Sequence, residues 1–337
     1  MFKLNRKKSK LANRYHMHPE AMIISCFFNP QNSPYRLKAF ELFYESIKHL
    51  NHTIIECVIG DSTPQIKENE NIKRIYTENL LWHKESLLNK IISDLPLKYK
   101  YLFWLDADVI FTNQDWIVEG VHELQSNNII QPFEYCVFLE KDEIKPSFSM
   151  NEIKDSYLPN AINNKVWRSF SANFVDTELW KNGSYHKHGH VGFAWGAKRE
   201  ILDTVPLFDR ALIGGGDHII AHAAAGQIPH SCITNDFSAI IDLVNQWSAD
   251  FYQVVKGKIG FVKGDIYHLW HGDIEKRQYV KRHEYTSKTK EILLRDENGL
   301  FITNEIDDIN IKQYFEEKEV LKGKKNNIFQ SFFVNKK

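Results

Sequence analysis

From Ala21 to Phe111 the chain alternates short runs that are apolar on both faces with longer stretches whose apolar residues recur at helical spacing. "AMIISCFFNP" reads as a strand stopped by Asn29 and Pro30, and "YRLKAFELFYESIKHL" as a helix. "TIIECVIGDST", stopped by Gly60 and Asp61, and the shorter "IKRIYT" are further strands. "ESLLNKIISDLP" is a helix halted by Pro96, and "YLFWLDADVIF" is a fourth strand. Strands that are apolar on both sides cannot leave either face in water. The order therefore predicts an α/β fold, with a mostly parallel, Rossmann-like central sheet covered by helices on both faces. Ligands of such sheets collect at the carboxyl ends of the strands, which places Asn29, Asp61, Asp106 and Asp108 along one edge.

The fourth strand carries the sharpest feature. Five apolar or aromatic residues run into Asp106 and Asp108, and Val109, Ile110 and Phe111 follow at once. A buried carboxylate without a partner is costly, so it shifts its pKa or finds a cation. On a continuous strand residues i and i+2 project the same way, and one bound object can meet both aspartates. Two carboxylates that close repel unless a cation lies between them, and hard oxygen ligands suit magnesium or manganese. An Asp-x-Asp triplet alone is a weak motif. Its weight here comes from its position at the end of a buried strand in a β/α series.

Composition removes some function classes. Lys and Arg total 43, as do Asp and Glu, so the formal net charge is zero and no global field draws the chain to nucleic acid. The basic opening "MFKLNRKKSKLANR" is followed by no apolar segment of the signal-peptide kind, and no run is long enough to span a membrane. Cys26, Cys57, Cys136 and Cys232 are far apart and read as buried thiols of a reducing compartment, so a cytoplasmic location is expected.

Two later stretches give the pattern a family likeness. "GHVGFAWGAKREILDTVPLFDRALIGGGDHIIAHAAAGQ" contains a small-residue and aromatic strand with Gly192 and Trp195, then Arg199, a helix over 200–205 and Phe208-Asp209. The glycines Gly214 to Gly216, Asp217 and a helix over 218–225 complete it. "HLWHGDIEKRQYVKR" supplies His268, His271, Lys276 and Arg277. With the Asp-x-Asp strand, these stretches resemble the nucleotide-sugar glycosyltransferases of the A-type fold, and within them the galactosyl- and N-acetylgalactosaminyl-transferase type. The likeness covers roughly residues 20–285. It implies a metal-dependent enzyme that moves a hexosyl or N-acetylhexosaminyl group from a nucleoside-diphosphate sugar, UDP-sugar favoured, to a hydroxyl of a saccharide or glycoconjugate. It implies Mn2+ or Mg2+ held by Asp106, Asp108 and a late histidine, either His268 or His271. Lys276 and Arg277 are candidates for the diphosphate oxygens, or else solvated charges of a helix.

Asp217 follows three glycines and opens a helix. It is either the carboxylate base for the acceptor hydroxyl or a helix cap. Relatives of the galactosyltransferase type often carry a Glu-Asp pair after their glycines, whereas this chain has Gly216-Asp217-His218, so the role of Asp217 and the stereochemical outcome stay open. Asp61 matches a position for the base or ribose, and Lys84 and Asn89 match polar residues after the third strand. His190, Trp195 and Trp167 are candidates for the acceptor side, with Phe170, Phe174 and Trp180 in the aromatic stretch where this fold inserts acceptor loops.

Two other readings compete. His186, His188 and His190 alternate, and on an extended strand all three would face one way as in a zinc hydrolase. The chain could also bind a sugar or partner without turnover. Residues 1–19 are expected as a basic segment and 20–285 as the catalytic domain, divided into a donor half (20–112) and an acceptor half (113–285). Residues 286–337 form an extension, whose lysine- and phenylalanine-bearing tail suits either an anionic membrane surface or packing on the domain. A modified DNA base also stays open as an acceptor.

Overall fold

The computed structural model describes residues 15–150, 165–182, 185–228, 230–272 and 294–302. In chain order the elements are β1 (Ala21–Phe27), α1 (Pro34–Ile47), β2 (His52–Ile59), β3 (Ile72–Thr77), α2 (Lys84–Asp94), β4 (Tyr101–Asp106), β5 (Val109–Phe111), α3 (Trp116–Ser126), β6 (Ile129–Gln131), β7 (Tyr135–Phe138) and β8 (Val166–Arg168). They continue with α4 (Phe170–Asp176), α5 (Tyr185–His188), β9 (Ala194–Lys198), α6 (Arg199–Thr204), α7 (Gly216–Ala224), α8 (Ser231–Asp236), α9 (Ile241–Val255), β10 (Ile259–Phe261) and β11 (Asp265–His268).

The central sheet has seven strands in the order β10-β6-β9-β4-β1-β2-β3. β9 runs antiparallel to its neighbours β4 and β6, and the other pairings are parallel. The predicted α/β class and mostly parallel sheet are what the chain forms. Alternation along the strands sends Ile23, Ile54 and Phe103 to one face, where Phe40, Phe43, Trp116 and Leu124 cover them. Ile24, Ile55, Trp104 and Trp195 go to the other face, against Leu87, Leu88, Ile91 and Phe251. Each such fully buried side chain contributes about 1.5–3 kcal/mol of transfer free energy, which is why the strands read as unbroken apolar runs.

The stretch "YLFWLDADVIF" is two strands, not one. β4 ends at Asp106, the chain turns at Ala107 and Asp108, and β5 starts a separate four-stranded sheet, β5-β11-β7-β8. β11 lies between β5 and β7, with His268 opposite Val109 and alongside Phe138. This small sheet brings residues 265–271 beside the Asp106 to Asp108 turn, and the Leu269 N–H donates to the Asp108 carbonyl at 2.8 Å.

Residues 294–302 return to the body of the protein. Leu300 and Phe301 are buried, and Phe301 packs with Leu81, Leu212 and Ile213. Among the described residues no helix is long and apolar enough to cross a membrane. The tail lies outside them.

Candidate active site

The site forms where the ends of β4 and β11 meet the N-termini of α2 and α7. Four contacts zip α2 and the turn before it to the segment 207–217. Trp82 N–H donates to the Leu212 carbonyl at 2.8 Å, and Ser86 Oγ to Asp209 Oδ2 at 3.1 Å. Asn89 uses both ends of its amide on the Leu207 backbone, at 2.8 and 2.9 Å. Lys84 Nζ lies 2.7 Å from Asp106 Oδ1 and 2.9 Å from Asp217 Oδ2. One ammonium, itself buried, thus ties the aspartate that ends β4 to the aspartate of the glycine segment.

Gly214 and Gly215 have φ of 94° and 101°, a left-handed backbone that favours glycine, and they aim α7 at this point. The cap position of α7 is Gly215. Asp217 therefore stands inside the first turn, where the helix dipole favours its charge and where its carboxylate meets Lys84 instead of capping. At Gly216 an added Cβ would lie 2.4 Å from Glu85 Oε1. Only glycine lets α2 and α7 approach this closely.

The titration behaviour follows from burial and crowding. Burial works against the charge on Lys84, but Asp106, Asp217 and Glu85 together hold its pKa well above the ordinary lysine value. Burial pushes Asp106 up to about 6; Lys84 opposes this, and the charges of Asp217 and Asp108 add to it. Glu85 is more extreme: burial, against Lys84 and reinforced by Asp217, pushes it up to about 8, so its carboxyl is protonated at neutral pH. Sequence reasoning missed Glu85. Its position carries a signal, because Glu85 falls four residues after Leu81 and three before Leu88, on the buried face of α2.

The second half of the site is built on Asp108. Its Oδ2 lies 2.9 Å from His271 Nε2 and 3.8 Å from His268 Nε2. Its Oδ1 is buried and has no hydrogen-bond partner among the described residues. One ligand atom from each of Asp108, His268 and His271 lies within 4.8 Å of the others. Both late histidines reach the aspartate, and Asp106 faces Lys84 instead. The break between β4 and β5 separates the two carboxylates in this way.

The remaining sequence-predicted residues fall in several places. Asp61 is exposed just beyond the carboxyl end of β2, on the edge of the sheet that holds Asp106. His190 stacks on Phe193 with ring centroids 4.1 Å apart, accepts from the Gly192 N–H at 3.2 Å, and is driven by burial to about 3, hence neutral. Trp167, half-buried on β8, meets the His190 ring edge-on at 6.4 Å. Trp195 cannot meet an acceptor. It is fully buried in the central sheet opposite Trp104, and its indole N–H donates to the Val191 carbonyl at 2.7 Å. Phe170 is likewise core. Arg199 caps α2, donating to the carbonyls of Leu95, Pro96 and Ile92 at 2.8–3.3 Å. Lys276 and Arg277 lie outside the described residues.

The alternating histidines do not form one zinc site. The segment is the short helix α5 followed by Gly189 with φ of 98°, so the strand alternation never applies. His190 turns toward Phe193, whereas His188 packs with His218 and His222 on the other side. The His186 side chain is outside what is described.

No family model matches the chain, and no curated protein matches it. Several solved structures are distantly similar to it. A 4-diphosphocytidyl-2C-methyl-D-erythritol synthase from Anaerococcus prevotii is 11% identical, with 91% of this chain and 99% of that one covered and a TM-score of 0.33. Glucosyl-3-phosphoglycerate synthase from Mycobacterium tuberculosis, solved with Mn2+, UDP-glucose and phosphoglyceric acid, is 10% identical over 85% and 84% of the chains, with a TM-score of 0.38. A Drosophila galactosyltransferase solved with manganese, UDP-Gal and xylobiose is 11% identical over 60% and 59%, with a TM-score of 0.29. Likenesses this distant transfer no substrate or metal, so the chemistry has to come from the chain's own residues.

Proposed function

We infer that the protein is a metal-dependent glycosyltransferase that uses a nucleoside-diphosphate sugar, with a UDP-sugar favoured, and a hydroxyl of a saccharide or glycoconjugate as acceptor. The observation that carries this reading is the convergence of Asp108, His268 and His271 on one point, beside the Lys84, Asp106 and Asp217 cluster, at the carboxyl end of a parallel sheet.

The donor set fits a divalent cation. Asp108 Oδ1 is buried without a protein partner among the described residues, and a carboxylate with two imidazoles suits manganese better than magnesium, which prefers an all-oxygen shell. Bound there, the cation would neutralise charge on the leaving diphosphate. The protein's residues divide the remaining work. Lys84 fixes Asp217 through Oδ2, which leaves Oδ1 to accept the proton of the acceptor hydroxyl. Neutral His190, next to Gly192 and Asp217, is placed to hydrogen-bond the acceptor, with Trp167 beside it. Asp61, exposed at the end of β2, is the candidate for the nucleoside, and Lys276 and Arg277 for the diphosphate.

The test is release of nucleoside diphosphate from a panel of nucleotide sugars by the purified chain, with manganese, with EDTA, and with Asp108→Ala. One donor should be hydrolysed, and chelation or the substitution should lower its rate at least about 100-fold, the scale of losing one preorganised charge-stabilising group. Turnover that survives both treatments would remove the metal-dependent reading.

A further inference from the structure

A second group of metal-ligating side chains gathers around α7, apart from the Asp108 group. His218 and His222 stand one turn apart on α7, Cys232 is on α8, and His188 ends α5. All four are buried. One ligand atom from each lies within 4.8 Å of every other, and Cys232 Sγ is 3.3 Å from His218 Nε2 and 3.5 Å from His222 Nε2. With zinc-sulfur and zinc-nitrogen bonds of about 2.3 and 2.05 Å, a tetrahedral ion separates sulfur from nitrogen by roughly 3.6 Å. The side chains thus already stand near the spacing the ion needs.

The outer contacts orient the rings in the same sense. His188 Nδ1 is 2.8 Å from the Gly189 carbonyl, His222 Nδ1 is 3.2 Å from Gln227 Oε1, and His218 Nδ1 is 3.8 Å from Asp236 Oδ2. The Gly189 carbonyl and the Gln227 amide oxygen favour the proton on Nδ1 of His188 and His222 and so leave their lone pairs on Nε2, while the Asp236 carboxylate lies on the Nδ1 side of His218. Carbonyl, amide and carboxylate partners of this kind are what orient metal-bound imidazoles. His230 flanks the group, its ring stacked on His222 and its Nδ1 2.9 Å from Cys232 Sγ. A purely apolar packing role explains neither the convergence of three imidazoles and a thiol nor the outward hydrogen bonds of His188 and His222.

We propose that His188, His218, His222 and Cys232 form a closed structural zinc site that clamps α5, α7 and α8 together. Four protein ligands without an open position make the site structural, not catalytic. Binding displaces the thiol proton to solvent and leaves Cys232 as thiolate. Because Asp217 and His218 are consecutive on α7, the clamp also fixes the helix that presents Asp217.

The measurement is zinc content of the 337-residue chain, purified without chelator and dialysed, together with the spectrum after cobalt replacement. The chain and its Asp108→Ala variant should each keep about one equivalent of zinc, and the cobalt form should show a thiolate-to-cobalt charge-transfer band; Cys232→Ser should lose both. If Cys232→Ser does not fold, the zinc content and cobalt band of the unsubstituted chain decide alone. A chain that holds no zinc and gives no thiolate band on titration with cobalt overturns the site, as does a band that persists in Cys232→Ser.

Discussion

Lys84 faces the carboxyl groups of Asp106, Asp217 and Glu85, and a single ammonium cannot balance three negative charges. The deepest of them, Glu85, gives way by keeping its proton up to about pH 8, against an ordinary value of 4.5. Between those limits the folded chain binds a proton that the unfolded chain has released. Stability contributed by this group is therefore complete at low pH, falls as pH rises through the window, and levels off above it. Glu85→Gln keeps the shape of the protonated carboxyl and cannot ionise. In thermal unfolding without added metal, the variant should match the wild type near about pH 5 and exceed it increasingly toward about pH 8. The gain should reach on the order of 3 kcal/mol by about pH 8, since each tenfold difference in proton affinity between the folded and unfolded chain is worth about 1.4 kcal/mol. Parallel curves would mean that Glu85 is already ionised in the native state. The pairing of Lys84 with Asp217 across 133 residues has no local sequence signature, which is why Lys84 reads from sequence only as a donor contact.

At the scale of elements, α2 and α7 meet because residue 216 has no side chain. In Gly216→Ala the new methyl would collide with Glu85 Oε1 at 2.4 Å, and the Lys84 bridge to Asp217 would be pulled apart as the helices separate. A loss of about 1–3 kcal/mol is expected, the usual range for overpacking. Because the clash is with one side chain, Glu85→Ala in the same chain should recover part of it, and urea unfolding of both singles and the double measures the coupling. Additive losses would place the strain in the backbone instead. Such contacts mark where sequence reading stops. The strands β1, β2 and β4 and the helix α2 are legible as apolar runs or a helical stripe closed by Asn29-Pro30, Gly60-Asp61, Asp106 and Pro96, whereas α1 and β3 are legible from the spacing of their apolar residues alone. The second sheet is not, since β5, β8 and β11 have three or four residues and are defined by partners distant in sequence. "LDADVIF" reads as one strand because the turn at Ala107 and Asp108 is flanked by apolar residues on both sides. Trp195 reads as an acceptor-side candidate because aromatic side chains in a core strand and in a binding cleft are the same residues.

For the whole molecule, the site depends on segments brought together from residues 84–85, 106–108, 190–217 and 268–271, so occupation of the site should report on global stability. A ligand that binds only the folded chain adds RT ln(1 + [L]/Kd), about 2.7 kcal/mol at a hundredfold excess over Kd. Manganese alone should add little, because Asp108 and the two imidazoles leave much of its coordination shell to water. A nucleoside diphosphate alone should also add little, because it meets the carboxylates of Asp106, Asp108 and Asp217 without a cation between them. Together they neutralise one another, and the melting temperature should rise by more than the sum of the separate shifts. Asp108→Ala should abolish that excess; in the ligand-free protein it removes both the unpartnered Oδ1 and the 2.9 Å contact of Oδ2 with His271, so its midpoint is the baseline against which the ligand shifts are read. Equal, additive shifts in the wild type and in Asp108→Ala would mean that cation and diphosphate do not share a site. The fold would then be holding Asp106 and Asp217 through Lys84, and Asp108 through His271, with no cation between them.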